Sequence, residues 1–436
     1  MHDALDTREL LSDEIVQLRE SGYEPATGAD IDELIDGPLR RSAELDRAYE
    51  GLLASPRRAD WPYEEPSSWE EIVALLPAET PAVRVAQDVV ADRVLGAWLA
   101  RCAGCNLGKP VEGHGWNRDK LRRYLEDAGA YPITDYLPVL DPMPAGMELN
   151  GSWSVATRGR VHGMARDDDT DYTILALHVL EKYGFGFTTE NVASEWLSLM
   201  PFTKTYTAER VAYRNLIAGL EPPATATFQN PYREWIGAMI RGDAFGYVSP
   251  GRSRRAAELA YRDAALSHVG NGIYGELWAA GLIAASFVAP SAKAAIEDSL
   301  SVVPPRSRLY EAITAQLRAF DAKVSWDEAM AEVDAKLGHY HWVHTLNNAA
   351  VVTAALLWGE GDFVRTIGYA VEAGLDTDCT GATAGSVFGA LHGTGALAAN
   401  FVEPLEDTIH SAIFGYEGSA ISALARRTVK LATEND

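Results

Sequence analysis

Two carboxylates and several hydroxyls precede a run of small residues in the stretch Gly374-Leu375-Asp376-Thr377-Asp378-Cys379-Thr380-Gly381-Ala382-Thr383-Ala384-Gly385. Asp and Thr are common in the cap and first turn of helices, and Val387, Phe388 and Leu391 follow with helical spacing. The ordinary interpretation is an acidic helix start, because a negative charge is favourable at the positive end of the helix dipole.

A second stretch of the same design lies earlier in the chain, at Arg166-Asp167-Asp168-Asp169-Thr170-Asp171-Tyr172-Thr173-Ile174-Leu175, and it also leads into an apolar helical run. Clusters of Asp and Thr oxygens suit hard cations, Mg²⁺ above all, with Mn²⁺ as the alternative. Two metals about 4 Å apart, bridged by an aspartate, fit this number of ligands. Neither stretch contains His, which disfavours zinc. The two acidic helix starts therefore predict a shared multivalent-cation site.

The composition is that of a globular protein. The 436 residues include 47% hydrophobic and 23% charged residues, and the formal net charge is −24. This charge disfavours binding to nucleic acid or to an anionic membrane, since both need a positive surface. The apolar stretches, such as 279–290, are too short to span a bilayer, and the N-terminus lacks a signal-peptide pattern. We expect a cytoplasmic protein.

Helical periodicity recurs along the whole chain, and no convincing alternating strand pattern is present. The predicted fold is all-α, with residues 1–82 as an N-terminal helical extension and residues 83–436 as one large helical domain. A long helix is expected at 85–103. The two glycines and the proline in Gly104-Cys105-Asn106-Leu107-Gly108-Lys109-Pro110-Val111-Glu112-Gly113 are expected to stop that helix and form a loop.

Cysteine and histidine offer weaker alternatives for a metal site. Cys102 and Cys105 have no second CxxC pair, so a structural zinc on them is not expected. In His339-Tyr340-His341-Trp342-Val343-His344, His341 and His344 would share a helix face, but no carboxylate follows at ligand spacing. This pattern favours ordinary polar or core histidines over a metal centre.

Three further features have both a functional and a structural interpretation. Glu112 lies in the Gly-bounded loop, where it could reach over a site or could simply be solvated. The glycines of Gly270-Asn271-Gly272 could let backbone amides approach a phosphate or ribose, or could form a plain turn. Asn347-Asn348 could line a pocket or bond a neighbouring backbone.

In this order, the segments resemble the ADP-ribosylglycohydrolase family. Glu112 falls at the flap glutamate of that family, 167–170 at its first metal motif, 270–272 at its substrate loop and 376–378 at its second metal motif. The resemblance covers about 83–393, and the extension has no recognisable counterpart. Four ordered motifs together are more specific than any one of them.

The sequence departs from the family pattern at several positions. Asp167 replaces a hydroxyl residue, and Cys379 stands where the last ligand is usually Thr or Ser. Cysteine is a poor Mg²⁺ ligand, so we expect either that Thr380, a water or the Asp378 backbone takes its place, or that one metal binds weakly. Cys105 and Glu276 also differ from the residues that many members carry, Asp and Arg respectively. These changes leave the metal motifs in place and leave the substrate open.

The resemblance implies an orthogonal helical bundle with a binuclear Mg²⁺ site that hydrolyses the glycosidic bond at C1 of the terminal ribose of an ADP-ribosyl group. The implied partner is ADP-ribose or an ADP-ribosylated substrate. Asp168 or Asp169 would hold or activate a water, and Glu112 would assist proton transfer or close over the site. The expected metal ligands are Asp167, Asp168, Asp169, Asp376, Asp378, Cys379 and Thr380. The expected substrate-binding residues are Gly270, Asn271, Gly272 and Tyr274, with Tyr274 or Trp153 stacking on adenine.

Two alternatives stay open at this point. The altered residues Cys105 and Glu276 are compatible with a metal-dependent hydrolase of another ribosyl or nucleoside-like glycoside. Cys379 is compatible with a non-catalytic relative that binds ADP-ribose. The sequence does not say which acceptor carries the modification, what the oligomeric state is or what the extension does.

Overall fold

The structure, a computed structural model, describes residues 6–25, 29–37, 43–79, 82–113 and 115–434. Within these ranges the regular structure is helical, apart from one two-stranded antiparallel ribbon of β1 (Thr408–Ile409) and β2 (Ser419–Ala420). The predicted all-α fold is confirmed. No helix of the described residues is long and apolar enough to cross a membrane.

The helices of the N-terminal segment (residues 6–79 as described) are α1 (Thr7–Glu20), α2 (Ala29–Asp36), α3 (Ala43–Leu53) and α4 (Trp69–Leu75). The remaining helices are α5 (Gln87–Gly108), α6 (Arg118–Asp127), α7 (Trp153–Ala156), α8 (Asp168–Tyr183), α9 (Thr189–Leu199), α10 (Thr207–Ile217), α11 (Ala224–Thr227), α12 (Asp243–Tyr247), α13 (Ser253–Ala264), α14 (Gly270–Ser286), α15 (Ala292–Ser299), α16 (Arg308–Asp321), α17 (Trp326–Leu337), α18 (Thr345–Trp358), α19 (Phe363–Glu372), α20 (Thr377–His392), α21 (Ala399–Val402) and α22 (Ile421–Glu434). Short 3₁₀ turns lie at Lys109–Val111, Gly184–Gly186, Phe202–Lys204, Met239–Arg241, Leu300–Val302, Thr394–Ala396 and Glu403–Leu405.

Helices α5 and α20 run antiparallel in backbone contact at the centre of the fold. A Cβ atom on Gly104 would lie 2.0 Å from the carbonyl oxygen of Gly381, and one on Gly389 would lie 2.3 Å from that of Gly96. Glycine recurs on the facing sides of both helices, which lets the two backbones approach more closely than larger residues allow. This contact fixes the end of α5 beside the start of α20.

The prediction that Gly104 begins a loop is wrong. Helix α5 continues to Gly108, and only Lys109–Val111 forms a 3₁₀ turn. A Cβ atom on Gly108 would lie 2.2 Å from the carbonyl group of Thr377, whose hydroxyl donates to the Gly108 carbonyl oxygen at 2.9 Å. The glycines therefore serve close helix packing rather than helix termination.

The prediction of a loop at Gly270-Asn271-Gly272 is also wrong, because these residues form the first turn of α14. A Cβ atom on Gly272 would lie 2.4 Å from the carbonyl oxygen of Arg233. The glycine allows this neighbouring backbone to approach, and every residue of α14 is buried. The helix is a central element of the core and not a surface feature.

The N-terminal segment docks onto the rest of the chain through buried polar contacts. Glu14 accepts two hydrogen bonds from Arg233, at 2.7 and 2.8 Å. Gln17 and Ser21 both donate to Glu234 at 2.8 Å, and Arg308 pairs with the same carboxylate at 2.8 Å. Buried ion pairs need close geometry to offset their desolvation, so they fix the position of the segment. A domain boundary near residue 82 stays a prediction.

Candidate functional site

A cavity of about 350 Å³ lies where the starts of α8 and α20 meet the end of α5. It brings together seven residues that the sequence singled out, namely Glu112, Asp167, Asp168, Asp169, Asp376, Asp378 and Cys379. The N-termini of two helices direct positive dipole ends toward these carboxylates, and the C-terminal end of α5 is favourable for a cation. We call this the acidic cavity.

The backbone before α20 turns sharply to present Asp376. Gly374 and Leu375 both have positive φ, at 75° and 67°, and the amide of Asp376 donates to Asn348 Oδ1 at 3.2 Å. Asp376 occupies the N-cap position of α20, yet its side chain makes no cap hydrogen bond. Its carboxylate is therefore not consumed by the helix and stays available inside the cavity.

Three groups of described side chains offer metal-ligand atoms close together. In each group the atoms lie within 4.8 Å of one another, and the groups are Cys105 with Asp167 and Asp169, Asp169 with Asp378 and Cys379, and Glu112 with Asp376 and Asp378. Asp378 belongs to the second and the third group. These groups could hold metal, and a carboxylate shared between two positions is the arrangement that a binuclear centre requires.

Burial and mutual repulsion raise the pKa values of the acidic groups in the cavity. Burial raises the pKa of Asp168 to about 6, against the lowering effect of Arg166, and that of Asp169 to about 8, against Arg101. Burial and then the nearby Asp378 raise the pKa values of Asp376 and Glu112 well above the usual range. Like charges this close disfavour full ionisation, and a bound cation would relieve the repulsion.

The donor set fits a hard cation. Asp169 is 1% exposed, and its Oδ2 atom has no hydrogen-bond partner in the described part of the chain. A buried oxygen without a partner is costly, and metal coordination would satisfy it. Burial and the adjacent Asp169 raise the pKa of the Cys379 thiol well above its usual range, so this group stays neutral and is a weak ligand.

Asp167 is engaged differently from Asp376. Its Oδ1 atom accepts from the amide of Asp169 at 3.0 Å and thereby caps α8, and its Oδ2 atom pairs with Lys109 Nζ. Burial alone would lower the pKa of Lys109, but the surrounding acids, Asp378 foremost, raise it. Lys109 is thus a cation placed inside the acidic cavity, and both oxygens of Asp167 are already occupied.

Comparison with known proteins identifies the family. The ADP-ribosylglycohydrolase family matches residues 86–436. The chain belongs to the ADP-ribosylglycohydrolase family. A solved chain described as "ADP-ribosylglycohydrolase-related protein complex" is similar to it, with 19% identity and a TM-score of 0.47 over 79% of this chain and 99% of that chain. No curated protein sequence matches the chain. Family membership supports a glycohydrolase-type activity.

Thr380 does not line the acidic cavity of this ADP-ribosylglycohydrolase family member. Its hydroxyl donates to the carbonyl oxygen of Ala370 at 3.1 Å, and the residue is fully buried in the contact between α19 and α20. That Thr380 serves as a metal ligand in place of Cys379 stays a prediction.

The predicted substrate-binding residues lie outside the acidic cavity. Asn271 donates to Glu234 through its amide and its side chain, at 3.0 and 2.9 Å, and accepts from the amide of Leu309 at 3.0 Å. Gly270 and Gly272 share its helical turn. Tyr274 is fully buried and donates to the carbonyl oxygen of Pro66. These residues hold the core and the N-terminal segment together, and their role in binding substrate stays a prediction.

Trp153, the second candidate for stacking on adenine, also lies elsewhere. It is 37% exposed at the start of the short helix α7, and the Arg160 guanidinium lies 4.6 Å from its ring centroid. It does not line the acidic cavity. The aromatic residues that do line it are Tyr206 and Trp342.

Several cavity residues were missed by sequence reasoning, namely Lys109, Arg166, Tyr206, Glu209 and Trp342. Arg166 directly precedes the Asp run and bonds Asp171 at 2.7 Å, so its position in the sequence was a usable signal. Glu209 is buried on α10 and bonds Arg241 at 2.7 Å. No local pattern marks it, because only the tertiary fold brings α10 to the cavity.

The expectation that His341 and His344 share a helix face is wrong. Helix α18 begins after His344, whose Nδ1 atom accepts from the amide of Leu346 at 3.2 Å as the N-cap. His341 precedes the helix and stacks on Trp235, with ring centroids 4.2 Å apart. The two rings pack and cap as ordinary polar or core histidines, which is the interpretation that the sequence favoured.

The paired asparagines bond backbone and do not line the acidic cavity. Asn348 Nδ2 donates to the carbonyl oxygens of Trp342 and His344, at 2.8 and 2.9 Å, while its Oδ1 accepts from Asp376. Asn347 Nδ2 donates to the carbonyl oxygen of His341 at 2.9 Å. Asn348 therefore connects the cavity wall at Trp342 to the start of α20.

Proposed function

We propose that the protein is a Mg²⁺-dependent hydrolase that cleaves the glycosidic bond at C1 of the terminal ribose of an ADP-ribosyl group. The observation that carries this proposal is the sharing of Asp378 between two groups of ligand atoms in one cavity. Family membership supports the glycohydrolase chemistry. A cavity of about 350 Å³ suits the ribosyl end of such a substrate.

Two ions are expected, with Mn²⁺ as a substitute for Mg²⁺. Asp169 and Asp378 would hold one, with Cys379 beside it, and Asp376 and Asp378 would hold the other, with Glu112 beside it. Bound Mg²⁺ would supply positive charge that orients the ribose diol and lowers the pKa of a water. Carboxylate oxygens are the ligands that Mg²⁺ prefers, and these groups supply them.

Asp168 is the residue we assign to the attacking water. It lines the cavity but belongs to none of the three ligand groups, and it is more accessible than Asp167 or Asp169. Its pKa, which burial raises to about 6, suits proton transfer near neutral pH. Glu112, whose pKa burial raises well above its usual range, is suited to carry a proton to the leaving group.

The walls of the cavity would position the sugar. Trp342 and Tyr206 supply flat apolar surface, and Arg166 donates to the Tyr206 hydroxyl oxygen at 3.3 Å. Arginine and aromatic side chains together favour an anionic, ring-containing substrate. Orientation against these walls would hold the anomeric carbon toward Asp168.

The experiment compares release of ADP-ribose from an ADP-ribosylated protein with Mg²⁺ and with a chelator. Asp378→Asn removes the shared ligand at nearly constant shape, and we expect activity to fall about 1,000-fold or more. Asp362→Asn is the matched control, because Asp362 caps α19 outside the cavity and Asn also caps well. Full activity of Asp378→Asn in chelator would contradict the metal-dependent reaction.

A separate comparison of substrates tests what group is attached to the ribose. The same assay with small-molecule ribosides in place of modified protein separates an ADP-ribosyl hydrolase from a hydrolase of another ribosyl glycoside. Faster turnover of a small riboside than of ADP-ribosylated protein would assign the second activity. The metal-dependent site would be the same in both cases.

A non-catalytic ADP-ribose binder is the second candidate, favoured by Lys109. Its ammonium pairs with Asp167 inside the cavity and already supplies one positive charge there. Calorimetry with ADP-ribose in chelator tests this candidate. Binding without any turnover when Mg²⁺ is restored would favour the binder over the hydrolase.

A further inference from the structure

A second cavity lies between the N-terminal segment and the rest of the chain. It has a volume of about 640 Å³, and its walls come from the end of α1, from residues 58–63, from α16 and α17 and from Tyr340. We call it the junction cavity. Among the described residues, none lines both this cavity and the acidic cavity. Part of the wall precedes residue 86, where the family match begins.

Two buried polar atoms of the junction cavity lack a partner. The side chain of Gln316 is 3% exposed, and its Oε1 atom accepts no hydrogen bond from the described residues. The indole Nε1 atom of Trp61 is buried and likewise has no acceptor among them. Such groups are costly to leave unsatisfied, and both side chains line a large cavity, where a ligand that offers a donor and an acceptor would satisfy them.

Positive charge is concentrated at this cavity although the chain as a whole has a net charge of −24. Arg19 and Arg318 line it and are exposed, and neither has a carboxylate partner in the described ranges. Glu332 is paired with Lys336, and burial and Glu234 raise the pKa of Glu20 to about 8, so Glu20 is mostly uncharged at neutral pH. Unpaired guanidinium groups of this kind suit a phosphate.

Aromatic side chains form another part of the wall. Trp61 and Tyr63 pack edge to face with centroids 5.1 Å apart, and Tyr340 lines the same cavity. The Tyr63 hydroxyl donates to one oxygen of Glu311 at 2.6 Å, and this carboxylate also lines the cavity. The Arg58 guanidinium lies 5.2 Å from the Trp61 ring. A flat heteroaromatic group can pack against such a wall.

We propose that the junction cavity is a binding site for a nucleoside monophosphate. The base would lie against the aromatic wall with its edge toward Gln316 and Trp61, and the phosphate would lie between Arg19 and Arg318. The volume of about 640 Å³ is within the range of pockets that hold ligands of this size. The site does not depend on the chemistry of the acidic cavity.

Isothermal titration calorimetry of the full chain with adenosine 5′-monophosphate, in the presence of a chelator, tests the proposal. We expect one saturable site per chain. Arg318→Glu and Gln316→Leu should each weaken binding by about 10- to 100-fold. Arg123→Glu is the matched control, because Arg123 is an exposed arginine of α6 outside the cavity, and it should leave binding unchanged.

Two further measurements separate specific nucleotide binding from unfolding of the variants and from binding of phosphate alone. Gln316→Leu should not lower the melting temperature, because it removes a buried acceptor that has no partner. Inorganic phosphate and adenosine, titrated separately, should each bind more weakly than the nucleotide. The proposal is overturned by a lack of saturable nucleotide binding, by equal affinity of Arg318→Glu, Gln316→Leu and the unsubstituted chain, or by phosphate binding as tightly as the nucleotide.

Discussion

The N-cap carboxylate of α8 is occupied by hydrogen bonds and an ion pair within the protein, whereas the N-cap carboxylate of α20 faces other carboxylates across the cavity. Asp167 caps α8 and pairs with Lys109, so both of its oxygens are occupied. Asp376 occupies the equivalent N-cap position of α20 and makes no cap hydrogen bond. Together with Asp378 it faces Glu112 across the acidic cavity. Two helix starts of similar composition thus differ in how many oxygens remain for a ligand.

The scaffolds beneath the two starts differ as well. The Arg101 guanidinium, fully buried, donates to the carbonyl oxygen of Asp169 at 2.7 Å and pairs with Asp243 at 2.9 Å, which anchors α8 by charge. The start of α20 is anchored by the Asn348 side chain and by backbone contact with α5. We call the Arg101 ion pairs the charged anchor and the backbone contact of α5 with α20 the packed anchor. Together they orient both acidic motifs toward one cavity.

The largest expected effect comes from the same substitution at the two caps. Asp376→Asn removes a carboxylate that the helix does not use, and we expect ADP-ribose release to fall about 1,000-fold. Asp167→Asn keeps a capping oxygen, and we expect a loss of about tenfold or less. Initial rates at saturating Mg²⁺ measure both. Equal losses in the two variants would show that the two starts have the same role.

A smaller effect concerns pH. In the metal-free protein, burial raises the pKa of Asp169 to about 8, so its carboxyl holds a proton at neutral pH that a metal must displace. Apparent metal affinity should rise by about 50-fold between pH 6 and 8, since one released proton corresponds to a tenfold change per pH unit below the pKa and to less near it. Calorimetry of Mn²⁺ binding in buffers of different ionisation enthalpy measures the released proton.

The same shift makes a prediction for stability. A carboxyl whose folded pKa is raised favours the folded state at low pH, and this contribution is lost as pH rises from the unfolded value of 3.8 toward about 8. The metal-free protein should therefore melt at a lower temperature at pH 8 than at pH 5, and Mg²⁺ should reduce this difference. A metal affinity independent of pH would contradict the buried, protonated carboxyl.

The smallest expected effect concerns the packed anchor. A Cβ atom on Gly104 would lie 2.0 Å from the Gly381 carbonyl oxygen, so Gly104→Ala forces α5 and α20 apart. We expect the free energy of unfolding to fall by about 1–3 kcal/mol. Gly186→Ala is the control, because a Cβ atom there meets no neighbour within 4 Å. Urea denaturation compares the two, and similar stabilities would show that α5 and α20 are not in tight contact.

Local patterns were sufficient to predict the helix starts that carry the cavity. Helices α8 and α20 begin where their Asp and Thr residues predicted, because caps and first turns are encoded by neighbours in the chain. The overall helical fold followed from periodicity in the same way. Local patterns could not predict the difference between Asp167 and Asp376. That difference depends on Lys109, which contacts Asp167 only in the folded protein.

Glycine was the residue whose role the sequence could not decide. Gly104 and Gly272 were interpreted as loop residues, and both are helical. In each case the missing side chain accommodates another backbone, that of Gly381 or Arg233, and a contact between distant segments leaves no local signal. Glu209 was missed for a similar reason. It lines the acidic cavity because α10 packs there in the folded protein, and no sequence motif marks it.

The most direct test of the shared site is anomalous diffraction from crystals soaked in Mn²⁺. We predict two anomalous peaks in the acidic cavity, one beside Asp169 and Asp378 and the other between Glu112, Asp376 and Asp378. Asp378 should contact both peaks. An acidic cavity without any anomalous peak at saturating Mn²⁺, or a metal that does not contact Asp378, would contradict the proposed binuclear centre.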